Sequence, residues 1–153
     1  MITHSHGGNV ALMATSLYTS RPVQRLINLA TPVNFDLRIW GAPNVWHMCT
    51  ASSWFDWVQF MGSSPTQVNA FAQAAYSSFV YASESAQAFI DGRENDAFYY
   101  AGLAMQSAYA GYGWWESTKV EGWGWTIMFN NLSHGDMHEP GVWGQLPHAC
   151  KVP

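Results

Sequence analysis

The chain of 153 residues is 48% hydrophobic and 10% charged, which suits one globular domain and excludes the polar, highly charged composition of disordered segments. A net charge of -4 with six Lys plus Arg, none of them clustered, excludes the cationic footprint that nucleic-acid binding requires. No apolar run reaches the roughly 20 residues of a membrane-spanning helix, and nothing at the start has the pattern of a signal peptide, so the compartment stays open. The nine Trp and the low charge point to a large buried or ligand-facing aromatic surface, or to an interface with further protein.

Met1-Ile2-Thr3-His4 is a short apolar start that runs into Ser5-His6-Gly7-Gly8-Asn9 and then into the helix formers Val10 to Ala14. Strand, sharp turn and helix is the context that gives a G-x-S-x-G match its meaning. Small residues are needed two before and two after the Ser because strand and helix nearly touch there. Thr3 stands where the pattern has Gly, Gly7 fills the later place, and Gly8 extends the close approach. A helix is predicted over 6–18, with Val10, Met13, Ala14, Leu17 and Tyr18 on its packed stripe. The bland alternative is a Gly-rich turn in which Ser5 only caps that helix.

Leu26–Ala30 reads as a buried parallel strand that closes at Thr31-Pro32. Residues 33–44 form a loop containing Asp36, and Val45–Ser52 is the next strand. Within it, His47 reads as a core histidine and Cys49 as a buried free thiol, in preference to a bridge with Cys150. Asp56 follows just past the strand end, where an acid can orient a His on a neighbouring loop. As an alternative, Asp56 is a turn or N-cap aspartate. Residues 66–91 and 94–110 are two helices, a hairpin whose stripe of Val68, Phe71, Ala75, Phe79, Ala82, Ala86 and Phe89 should be core. Gly111–Trp115 reads as a loop and residues 123–130 as the last strand. His134, Asp136 and His138 follow it. His134 is the first choice for a catalytic base and His138 the alternative; for the acid, Asp56 comes first and Asp36 second.

These residues resemble the α/β-hydrolase superfamily. His4-Ser5-His6-Gly7-Gly8-Asn9 is similar to the nucleophile elbow of its lipase/esterase branch, and Leu26 to Val33 to the strand after the elbow helix. Asp56-x-Val58-Gln59-x-x-Gly62 is similar to an acid segment, and His134-Gly135-Asp136-Met137-His138 to a His segment, of such families. The resemblance implies an α/β fold, the C-terminal half of a hydrolase domain, with a parallel sheet and flanking helices. Residues 1–153 would form one partial domain and 66–110 a helical insertion. It further implies a Ser5–His134–Asp56 triad, an oxyanion donor at the His6 backbone N–H, a small-molecule or lipid ester as substrate, and neither cofactor nor metal.

In that family several strands and an oxyanion loop precede the elbow, so they are expected upstream of Met1. The chain alone is then expected to be weakly active or inactive, with an uncovered edge that favours self-association. Two other readings compete. His4, His6, His134, Asp136 and His138 are metal-ligating types, although Gly135 and Pro140 disfavour a helix there and no H-E-x-x-H pattern is present. The other is a non-catalytic, hydrolase-like binding module.

Overall fold

The apolar runs pair as a four-stranded parallel sheet with helices around it, an α/β architecture. The computed structural model describes residues 1–17, 21–34, 44–119, 125–130 and 132–150. In chain order the elements are β1 (Ile2–His4), α1 (His6–Leu17), β2 (Val23–Leu29), β3 (Val45–Ser53), α2 (Trp57–Met61), α3 (Pro65–Ile90), α4 (Glu94–Ser117), β4 (Trp125–Phe129) and α5 (Pro140–Ala149). A 3-10 turn, Gly135–His138, precedes α5 where the sequence reads as loop. The chain divides into a sheet unit, Met1–Pro65 with Glu116–Pro153, and a helical unit, Thr66–Trp115.

Strand order in the sheet is β1-β2-β3-β4, every neighbour parallel. β2 begins at Val23, earlier than Leu26, because Val23 pairs with Val45. Side chains alternate across the sheet, and each face has its own core. Leu26 and Met48 pack with Ala11 of α1. Leu29, Cys49 and Ala51 pack on the other face with Met137, Val142, Leu146 and Cys150.

Three expectations about this unit are corrected. α1 packs through Gly8, Asn9, Ala11 and Thr15, whereas Val10, Met13 and Leu17 are exposed; small residues let the helix sit close to the strands, so the larger stripe faces outward. Tyr18 lies outside the described residues. His47 is exposed near the start of β3, where the buried run has not yet begun. Cys49 is not a free thiol: it is bridged to Cys150 at the end of α5, with a Cα–Cα distance of 5.7 Å. Of the strand expected over 123–130, residues 123 and 124 also fall outside the described residues.

In the helical unit, α3 and α4 run antiparallel. Ser78 Oγ donates to the Ala104 carbonyl and Ser85 Oγ to that of Ala97, while Tyr81 stacks on Tyr100. Gly92, at φ 72°, turns the chain between them, a backbone region that glycine enters without a Cβ penalty. α4 continues through Gly111–Trp115, the segment read as a loop; Gly111 faces Ala74 of α3, where an added Cβ would make an ordinary contact at 3.6 Å. The expected core stripe is also corrected. Ala88 and Ala97 are buried, while Phe79, Phe89, Phe98 and Tyr109 are exposed. Ala and Ser supply much of the seam, with the Tyr81–Tyr100 and Phe71–Trp115 pairs beside it, while those four rings stay outside. No helix among the described residues is long and apolar enough to cross a membrane.

Candidate active site

Ser5 occupies the single residue between β1 and α1, with a φ of 53°. A non-glycine residue in that region is strained by roughly 1–3 kcal/mol, and such strain clusters at functional sites. Its N–H donates to the Leu29 carbonyl (2.9 Å) and its carbonyl accepts from Gly8 N–H (3.1 Å), which pins the turn at both ends. His6 is the first residue of α1, so its N–H has no acceptor within the helix and is free to meet an anion at the positive helix end.

The close approach falls at Gly8. A Cβ there would lie 2.1–2.8 Å from three atoms of the buried Thr31 side chain, whereas at Gly7 it would meet nothing within 4 Å. Thr31 is aimed at Gly8 by a second positive φ, 47° at Ala30, as the chain leaves β2. Thr31 is β-branched and buried and does not swing aside easily. Gly8→Ala is therefore expected to destabilise the chain by about 3 kcal/mol. Gly7→Ala should be neutral or stabilise by up to about 1 kcal/mol. Urea melts of the two variants check this, and equal effects would contradict it.

Asp56 and His134 are brought together. Asp56 Oδ2 lies 2.8 Å from His134 Nδ1, with the carboxylate fully buried and the imidazole largely so. Oδ1 meanwhile accepts from Gln59 N–H (2.8 Å), so Asp56 also caps α2. Cap and acid, posed in the sequence as alternatives, use different oxygens of one carboxylate. His134 is presented by the turn before α5, where Asp136 accepts from Ser133 N–H (2.7 Å). That bond and the Ser133 hydroxyl hold the Asp136 carboxyl below the usual carboxylate range.

Three supporting residues escaped the sequence reading. His4 packs its ring 4.7 Å from that of His134 and places Nε2 3.2 Å from the His134 carbonyl, the geometry of a donated N–H. Gln59 donates from Nε2 to the Thr31 carbonyl (2.8 Å) and to Ser52 Oγ (2.9 Å), tying the exits of β2 and β3 together. Lys119, fully buried, donates from Nζ to the Asp56 carbonyl at 2.6 Å. The Asp-x-x-Gln spacing was a readable capping signal; a single Lys after a helix gives none.

Burial pushes the Lys119 ammonium down to about 8 from 10.5, opposed in part by the charge of Asp56. Between those two pH values the unfolded chain keeps a proton that the folded chain has released. Stability therefore rises with pH across that window, while below it the burial penalty is present in full. Relative to Lys119→Met, the wild-type chain should gain on the order of a few kcal/mol between about pH 7 and pH 10. Paired urea melts at the two pH values read this, and parallel curves for the two proteins would contradict it.

Ser5, Asp56 and His134 follow β1, β3 and β4, so all three lie at the carboxyl edge of the sheet, where open parallel sheets place their ligands. The Ser5 hydroxyl makes no hydrogen bond to a described residue, His134 included; ligand-free catalytic contacts are often open in this way. Asp36, the alternative acid, lies outside the described residues, as does the side chain of His138, the alternative base. Among the described residues no group of three or more His, Cys, Asp or Glu side chains could hold a metal ion. No family model, no curated protein and no solved structure matches the chain.

Proposed function

We propose that the chain is a serine hydrolase of carboxylic esters, of the α/β-hydrolase type and similar to its lipase/esterase branch. The observation that carries this is a strained Ser at a strand-to-helix turn, on the same sheet edge as a buried, hydrogen-bonded Asp–His pair. His134 takes the Ser5 proton at Nε2 while Nδ1–H stays on Asp56; Ser5 attacks the ester carbonyl, the alcohol leaves with that proton, and water then releases the acid. The His6 N–H stabilises the oxyanion. Exposed Phe55, Trp57, Val58 and Met61 beside Asp56 suit an apolar acyl chain. The helical unit is then an insertion between the third and fourth strands. The buried Cys49–Cys150 bridge fits an oxidising compartment.

A fluorophosphonate probe tests the reading. It should label Ser5 and leave the Ser5→Ala variant unlabelled, with no change on adding a chelator. Labelling elsewhere, or stoichiometric zinc whose removal abolishes activity, would overturn it. A non-catalytic, hydrolase-like binding module is the second reading. It is favoured by the single oxyanion donor assigned among the described residues, since losing one donor costs about 10²–10³ in turnover. Labelling without turnover of short p-nitrophenyl esters would select it.

A further inference from the structure

We infer that Lys119 is a positioning residue for this site: its buried ammonium clamps the Asp56 carbonyl and thereby fixes the carboxylate that orients His134. The inference rests on the hydrolase reading above and names a further part of the same site.

Asp56 is held through four groups. Its N–H donates to the Ser53 carbonyl (3.3 Å), Oδ1 caps α2, Oδ2 meets His134, and its carbonyl accepts from Phe60 N–H (3.2 Å) and Lys119 Nζ (2.6 Å). Of these, the Lys119 contact is the one that crosses from a distant part of the sequence with a full charge. Charge-assisted bonds are roughly twice as strong as neutral ones.

Lys119 is itself anchored. Its carbonyl accepts from Ser52 Oγ (3.0 Å), its N–H donates to the Glu116 carbonyl (2.9 Å), and the preceding Thr118 carbonyl accepts from Val33 N–H (2.9 Å). Ser52 also receives Gln59 Nε2. Thus the exits of β2 and β3, the cap of α2 and the turn after α4 meet in one buried polar network around the acid. A buried cation costs several kcal/mol unless acceptors are aimed at it. One acceptor aimed at it here is the backbone carbonyl of the residue whose carboxylate holds His134. The Asp56 charge acts on Lys119, and His134 joins the network through Asp56.

The test reads the pair and the chemistry separately. The Nδ1 proton of His134 is followed by NMR in the wild-type chain and in Lys119→Met and Lys119→Arg. In Lys119→Met the low-field Nδ1 resonance should broaden or vanish, and kcat for a short p-nitrophenyl ester should fall about 10- to 100-fold with KM unchanged. Lys119→Arg, which keeps the charge, should restore part of both. If Lys119→Met fails to melt cooperatively, Lys119→Gln is read in its place. An unchanged resonance in the folded variant overturns the clamp, whatever happens to kcat. A resonance that depends on Lys119 in a wild-type chain that neither turns over esters nor accepts the fluorophosphonate overturns the hydrolase reading and leaves the clamp standing.

Discussion

Asp56→Asn is expected to slow fluorophosphonate labelling of Ser5 and ester turnover by about 10⁴. An Asn amide directed at His134 Nδ1 favours the wrong tautomer, with the proton on Nε2 where the Ser5 proton must arrive. The fold should survive, because an Asn oxygen still caps α2 as Oδ1 does now. His134→Ala should cost as much, leaving only oxyanion and binding contributions, about 10³–10⁴ over water. His138→Ala should cost far less. Labelling rates for the three variants, each compared with its own urea melt, separate chemistry from stability. If His138→Ala proves the damaging change, the base moves to His138 and the Asp56 bond to His134 becomes structural. If Asp56→Asn labels at the wild-type rate, the triad is wrong.

Part of this was legible in the sequence. Leu26–Ala30, Val45–Ser52 and the run ending at Phe129 declare themselves as strands because parallel strands buried on both faces are continuous apolar runs. Asp56 and His134 sit after two of those strands and Ser5 after the short β1, and the structure joins Asp56 to His134. Helix faces were read wrongly twice, at α1 and at α3, for one reason. Hydropathy weights large apolar side chains, whereas the buried positions of these helices are small or polar: Gly8, Asn9, Ala11 and Thr15 in α1, Gln67 and Ala88 in α3. Of the two glycines named at the close approach, Gly8 makes it and Gly7 does not: motif spacing names a position, but only the aim of Thr31 decides which Cβ is excluded. Lys119 left no trace, because a buried cation has no periodicity and its acceptor is a main-chain carbonyl. The disulfide was unreadable as well, since two cysteines 101 residues apart carry no geometry until β3 and α5 share a core.

That disulfide carries the second large expectation. Reducing the chain, or replacing both cysteines by Ala, should lower its stability by about 2–5 kcal/mol; chain entropy alone gives about 4.7 for a loop near 100 residues. Against a margin of about 5–15 kcal/mol this is a large share. The effect should reach the site as well. Cys49 and Cys150 belong to the cluster that holds Met137, Val142 and Leu146 against the sheet, and Met137 stands three residues after His134. With the bridge open, α5 keeps the apolar contacts of Val142 and Leu146, and the turn presenting His134 loses its covalent anchor to β3. Urea melts with and without dithiothreitol read the first consequence; labelling of Ser5 at a denaturant concentration where both forms remain folded reads the second. Equal midpoints in the two melts would show that the bridge does not stabilise the fold. A lower midpoint with unchanged labelling would show that the Asp56 and His4 contacts suffice to hold His134 once α5 is released.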